Sequence, residues 1–348
     1  MTPLEQMPVP LLVWFGEHAR KLPWREDPTP YHVWVSEIML QQTRVAAVLG
    51  YYERFMSEVP TVQALAALPE ERLMKLWQGL GYYNRARNLQ KAARQVVDRF
   101  GGEFPRRYED ILSLPGVGEY TAGAIASIAF GQCVAAVDGN VLRVVSRINA
   151  DESDITLAAT KQRVRRQLEE IIPVGEASRF NQGMMELGAT ICLPNGAPLC
   201  EQCPARAFCR ARLEERTEAL PVKAPKKERR VEERVVFLIF HGQSVALRQR
   251  DKKGLLAGLW EFPNELAPAE NFLREWGIRG VERSRIGTGK HIFSHIEWHM
   301  TARAVYADSE SLPEGWVWAD RQALDRTYAV PNAFRAFEPV VKEQLGYF

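Results

Sequence analysis

The chain has 348 residues, room for roughly two domains at a typical ~150 residues each. A composition 46% hydrophobic and 25% charged excludes wholesale disorder, and 45 Lys and Arg against 43 Asp and Glu, a net charge of +2, exclude a uniformly basic surface. No apolar run approaches the ~20 residues of a membrane-spanning helix, and residues 1–10 lack the basic start and apolar stretch of a signal peptide, so a cytoplasmic protein without a membrane partner is expected.

From about residue 10 to 210, apolar positions recur at three- and four-residue spacing, as in Val33, Trp34, Ile38, Leu40 and Val45. That period predicts one helix after another, separated by short Pro- and Gly-containing loops. Residues 211–233 hold few large apolar residues and the basic run Lys223, Lys226, Lys227, Arg229 and Arg230, which reads as a solvated linker. Strand-like stretches at 235–240, 245–247 and 301–306, with a turn at His241 and Gly242, make residues 234–348 a mixed α+β domain. The expected architecture is a mainly α region over 1–210, a linker, and a smaller α+β domain.

Five cysteines are too few for a disulfide scaffold. Cys133, inside an apolar run, reads as a small core residue. The other four are spaced Cys192-x7-Cys200-x2-Cys203-x5-Cys209. By spacing alone, this set suits either zinc or a 4Fe-4S cluster.

Three further stretches carry chemistry. Leu114-Pro115-Gly116-Val117-Gly118-Glu119-Tyr120-Thr121-Ala122 places two glycines at a break between helices. Such a break is either a tight turn or an anion site, where free amides at a helix start face a partner. Glu37 lies among Trp34, Ile38, Met39 and Leu40. It is either on the solvent stripe of an amphipathic helix or a carboxyl whose raised pKa suits a general acid. Asp138, followed by Gly139 and Asn140, ends the apolar run 134–137 and is either a helix cap or a second functional carboxylate.

The string from Leu114 to Ala122 resembles the helix-hairpin-helix DNA-binding element, expected over about 111–131. Its distance to Asp138 matches the catalytic aspartate of the endonuclease-III-like glycosylases. That superfamily carries a 4Fe-4S cluster on a Cys-x6-Cys-x2-Cys-x5-Cys string, so the loop over 192–209 departs by one residue between Cys192 and Cys200. Within the superfamily the chain resembles the adenine DNA glycosylases, through residues 34–43 and 77–87 and a C-terminal Nudix-like stretch, 254–263.

The resemblance implies a monofunctional enzyme that excises adenine opposite 8-oxoguanine or guanine in double-stranded DNA, after flipping it from the stack. It implies Glu37 as acid and Asp138 as stabiliser of the sugar cation, with Asn140 and Tyr120 orienting Asp138. It places Arg20, Trp24, Leu40 and Gln182 around the adenine, Gln42 and Tyr82 as wedges in the duplex, and the Gly116 and Gly118 amides on a phosphate. Cys192, Cys200, Cys203 and Cys209 become ligands of one 4Fe-4S cluster. Phe293, Ser294 and His295 become the lesion reader. Strand-cutting relatives use a Lys at the position of Tyr120, and a phenol cannot form their Schiff base. Arg274-Glu275 lacks the further carboxylates that Nudix hydrolysis needs, which argues against a diphosphatase. The enzyme is expected to act as a monomer, nucleoid-associated if bacterial. A glycosylase/lyase and a non-catalytic lesion binder are the rival readings.

Overall fold

The computed structural model describes residues 1–225 and 228–347, with the backbone alone for Ser284 and Arg285. Lys226 and Lys227 of the basic run therefore lie outside the described residues. The chain forms two compact units, Met1–Ala67 with Arg87–Pro225, and Leu68–Ala86 with Lys226–Phe348.

The first unit is helical. Its elements are α1 (Pro8–His18), α2 (Pro23–Glu26), α3 (Pro30–Leu40), α4 (Val45–Glu58) and α5 (Val62–Ala67). After α6 (Glu70–Trp77), which belongs to the second unit, come α7 (Asn84–Phe100), α8 (Tyr108–Leu112), α9 (Glu119–Ile128), α10 (Gly139–Asn149), α11 (Ala158–Glu169), α12 (Ala177–Thr190) and α13 (Arg210–Leu213). α3 starts with Pro30 at its first position and Thr29 as cap, whose hydroxyl accepts from the His32 amide. Tyr31 and every residue from Val33 to Met39 are buried, so α3 has almost no solvent stripe. The amphipathic alternative for Glu37 therefore fails. Most of α9 is buried too, and a Cβ at Gly123 would lie 2.5 Å from the Ala135 carbonyl. α9 thus packs backbone to backbone against the segment that leads into Asp138. Leu11, Val141, Val145, Phe180, Met184 and Leu187 fill the core between α1, α10 and α12.

Two expectations need correction. Cys133 is exposed, because burial of the apolar run begins only at Ala135. The stretch after Cys209 is not all solvated tether, since Leu220 is buried and its carbonyl accepts from Arg147 Nε at 3.0 Å. Ile155 likewise donates its amide to the Val222 carbonyl.

The second unit holds a seven-stranded sheet of β1 (Arg230–His241), β2 (Ser244–Gln249), β3 (Trp260–Glu261), β4 (Asn264–Leu266), β5 (Gly280–Ile292), β6 (Ile296–Ala307) and β7 (Trp316–Ala319). The main strand order is β3-β2-β1-β6-β5, with β4 on β1 and β7 on β2. β1 and β6 run parallel over eleven paired residues from Arg230↔Ile296 to Phe240↔Tyr306. Val236, Leu238 and Phe240 enter one core and Val235, Phe237 and Ile239 another, so β1 is covered on both faces. β5 and β6 form a long hairpin whose tip is Phe293, Ser294 and His295, closed by the Phe293 amide on the Ile296 carbonyl.

Residues 68–86 join this unit through α6. Lys75 Nζ donates to the Leu324 carbonyl at 2.6 Å, and Gln78 Nε2 to the Val330 carbonyl at 2.9 Å. Asn332 Nδ2 returns a bond to the Gly79 carbonyl at 2.9 Å.

Candidate active site

Glu37, Tyr120, Asp138 and Asn140 line one cleft of the first unit, of about 930 Å³. Arg20, Trp24, Leu40, Gln42 and Gln182 line the same cleft. With Gly118, which lines it too, the helical fold gathers ten of the sequence-identified positions on α2, α3, α9, α10, α12 and their flanking turns.

Glu37 is 6% exposed, and Tyr120 Oη donates to its Oε2 at 2.6 Å. Burial pushes its carboxyl up to about 7; the Tyr120 hydrogen bond and Arg25 oppose this, and the Asp138 charge adds to it. Tyr120 is held well above its ordinary range by burial and by Glu37 and Asp138, so its phenol keeps its proton. Asp138 caps α10, its Oδ1 accepting from the Val141 amide at 2.7 Å and its Oδ2 from Asn140 Nδ2 at 2.8 Å. Burial raises its pKa, while these two bonds favour the charged form. The cap and functional readings of Asp138 are thus compatible: capping leaves it on the cleft wall.

Asn140 is itself held. Arg143 Nη2 donates to its Oδ1 at 2.9 Å and to the Gly188 carbonyl at 2.7 Å. Nothing in the sequence singled out Gly188, yet a Cβ there would sit 2.6 Å from the Asn140 Cβ. Arg143 Nε also donates to the Cys192 carbonyl at 2.8 Å, so one buried guanidinium joins the Asp138 cap to the cysteine loop.

Cys192, Cys200, Cys203 and Cys209 line a single cavity. Arg147 Nη1 lies 3.3 Å from Cys192 Sγ, and Cys209 Sγ donates to the Arg147 carbonyl at 3.4 Å. Burial pushes the Cys203 thiol up to about 12. Among the described residues, no three His, Cys, Asp or Glu are arranged to hold a single metal ion. The donor set is four sulfurs around one space, which fits a sulfur-ligated metal group. The extra loop residue falls in the exposed stretch at Pro194, Asn195 and Gly196, where Gly196 takes φ +72°.

Gly116 has φ +77°, and a Cβ there would meet Asn88 Cβ at 2.7 Å, so glycine is required. Gly118 caps α9 with φ −97° and open space around it, so its need for glycine is not conformational. Gln42 and Tyr82 are both non-glycine residues in the left-handed region, at φ 57° and 47°. In the second unit, Ser294 and His295 are exposed at the hairpin tip, and Phe293 packs edge-on against His291 and Trp298. Tyr82 Oη lies 3.4 Å from Ser294 Oγ. His299 pairs with Glu297 and Glu233. The helix α14 (Phe272–Glu275) is a single turn with Glu275 exposed.

Sequence reasoning missed Glu186. Its side chain is 1% exposed and binds Arg20 Nε at 2.6 Å and Arg25 Nη2 at 2.8 Å. Despite burial, these two partners hold its carboxyl down to about 2. A Glu on a helix with Arg residues 166 and 161 positions away gives no local signal.

Fold and site together define a base excision repair protein of the helix-hairpin-helix class. The model of the HhH-GPD superfamily base excision DNA repair proteins matches residues 35–174, and that of the NUDIX domain matches residues 235–337. Among solved structures, a thermostable thymine-DNA glycosylase is 30% identical with a TM-score of 0.56, covering 61% of this chain and 97% of its own. A non-covalent endonuclease III–DNA complex gives 28%, a TM-score of 0.52, and coverage of 62% and 99%. The adenine DNA glycosylase of Homo sapiens is 36% identical over 394 residues, 93% of this chain and 72% of the relative. That of Buchnera aphidicola subsp. Baizongia pistaciae is 35% identical over 295 residues, 82% of each. The chain belongs to the adenine DNA glycosylase family.

Glu186→Gln leaves Arg20 and Arg25 without their carboxylate and should lower stability at pH 7 by about 3 kcal/mol. The folded-state carboxyl titrates at about 2 against 4.5 when free. Its contribution is therefore complete above 4.5 and disappears as pH falls through about 2. Urea midpoints across pH test this: wild type and variant should converge in acid, and equal midpoints at pH 7 would disprove it.

Proposed function

We propose that this chain removes adenine from double-stranded DNA carrying A:8-oxoguanine or A:G, with Glu37 as acid and Asp138 as the group facing the sugar. The observation that carries the reading is a buried carboxyl pushed to about 7 by a cleft it shares with a capped Asp138. Near neutral pH such a group holds a proton for an appreciable fraction of the time and can give it up. Adenine, flipped into the cleft, takes the proton from Glu37, and the electron pair of the N-glycosidic bond leaves with the base. The sugar becomes oxocarbenium-like. Asp138, whose charged form the Val141 amide and Asn140 favour against burial, stabilises that cation or bonds to it until water completes the exchange. Arg20, Trp24, Leu40 and Gln182 surround the base in this reading.

The lyase reading is disfavoured by Tyr120, whose phenol cannot form an imine and is engaged by Glu37. A pure lesion binder has no use for two desolvated carboxyls in one cleft. The Gly116 and Gly118 amides are assigned to a phosphate. Gln42 and Tyr82 are assigned as wedges, since a left-handed backbone at a bulky residue costs ~1–3 kcal/mol and such strain concentrates at functional sites. Four thiolates at 192, 200, 203 and 209 would hold a 4Fe-4S cluster, whose part is to tie this loop to the helices beneath it. Ser294 offers a hydroxyl that can accept from, or donate to, the N7 hydrogen and C8 carbonyl that distinguish 8-oxoguanine from guanine.

Three measurements test these assignments. Glu37→Gln should bind a mispaired duplex and excise at least a thousandfold more slowly, at the upper part of the ~10²–10⁴ range for acid catalysis; near-wild-type single-turnover release would sink the assignment. Cys203→Ser should lose iron and the visible absorption of freshly purified protein, so unchanged iron content would clear the cysteines of ligation. Ser294→Ala should reduce the rate preference for A:8-oxoguanine over A:G by about tenfold, near the low end of one good base contact. An unchanged ratio would exclude lesion reading by this residue.

A further inference from the structure

Tyr120 Oη has one hydrogen and two acceptors within reach. One is Glu37 Oε2 at 2.6 Å and the other is Met185 Sδ, on α12, at 3.2 Å. Both contacts lie inside the cleft, and both α9 and α12 are packed elements of the first unit. The two acceptors serve different protonation states of Glu37. When Glu37 is ionised, the hydroxyl hydrogen goes to the carboxylate, the stronger acceptor. When Glu37 is protonated, its carboxyl is a weaker acceptor and can itself donate to the phenol oxygen. The phenol hydrogen then needs another partner, and in this buried place an unpaired hydroxyl is costly.

We propose that Met185 is a positioning residue for the excision acid: its Sδ takes the Tyr120 hydrogen when Glu37 carries its proton, and so keeps Glu37 in the acid form. The proposal rests on the assignment of Glu37 given above. The charged and titratable groups facing Glu37 are Tyr120 on α9, Asp138 at the start of α10 and Arg25 on α2, with Arg20, Arg44 and Glu186 lining the same cleft. None of them offers Tyr120 a second acceptor in the contacts of its hydroxyl, which are Glu37 and Met185. Deleting Sδ leaves the phenol hydrogen to Glu37 alone. That favours the carboxylate, and the acid form is lost at lower pH.

Met185→Leu, which keeps the bulk but not the acceptor, should move the alkaline limb of the single-turnover rate down by about 0.5–1 pH unit, the worth of one hydrogen bond of ordinary strength. Rates well below that limb should stay within about twofold of wild type. Met185→Gln restores an acceptor at similar length and should return the limb to its original position. In a Tyr120→Phe background Met185→Leu should shift nothing, because the shared hydrogen is gone. An unmoved limb in Met185→Leu, equal shifts in the Leu and Gln variants, or a shift that persists with Phe at 120 would each overturn the proposal. If Met185→Leu does not fold, Met185→Gln alone decides, a limb clearly below wild type counting against it. The Glu37 titration followed by infrared difference spectroscopy, with its band assigned through Glu37→Gln, reads the same shift without catalysis. A shift in that titration alongside an active Glu37→Gln enzyme would leave the Met185 geometry standing and reject the role of Glu37 instead.

Discussion

Keeping one carboxyl out of water is the constraint on which the first unit depends. Glu37 is buried because α3 is buried nearly all round, and α3 is buried because its sequence supplies apolar residues beyond one helical face. A carboxyl in such surroundings moves toward neutrality by itself, with no dedicated partner. Burial raises Asp138 as well, but the cap geometry of α10 answers it with two hydrogen bonds that favour charge. Both acids are thus raised by burial and opposed by hydrogen bonds: Tyr120 donates to Glu37, while a backbone amide and Asn140 donate to Asp138.

α10 carries that treatment further. Asp138 caps it, Asn140 lies in its first turn, and Arg143 and Arg147, one turn apart, reach the cysteine loop through the Cys192 carbonyl and sulfur. The same arginines hold Gly188 and Leu220. A helix fixed at so many points gives Asp138 little freedom, and each point is a backbone carbonyl or a side chain held by the fold.

The helical region, the strand-rich region and the principal carboxyls were legible in the sequence because each leaves a local signature. Glu37 stands out through its apolar neighbours, Asp138 through the Asp-Gly-Asn step, and the cysteines through their spacing. What stayed hidden is non-local. Glu186 acquires meaning only when α12 meets Arg20 and Arg25. Residues 68–86 read as one more helical step between α5 and α7, yet Lys75 finds one acceptor 249 residues away, at Leu324. Cys133 was misread for the opposite reason: the apolar run was taken as one buried unit, and the chain reaches the core only from Ala135 onward. The hairpin tip at 293–295 is a matter of register, fixed by the β5–β6 ladder and not by the three residues themselves.

The nearly neutral net charge acquires a different meaning once the arginines are placed. Arg20 and Arg25 bind Glu186; Arg143 and Arg147 hold backbone carbonyls; Arg234 pairs with Glu232; Arg248 and Arg250 share the buried Glu261. These guanidiniums are committed inside the two units, and they contribute to folding more than to any surface. A count of basic residues therefore overstates what is available to a polyanion. In the reading proposed above, recognition also draws on features that net charge does not register: the amides at the start of α9, Gln42 and Tyr82 in left-handed backbone, and a hairpin tip with exposed polar groups. These are elements of shape and hydrogen bonding. Contacts of that kind position and specify, where diffuse charge would only attract.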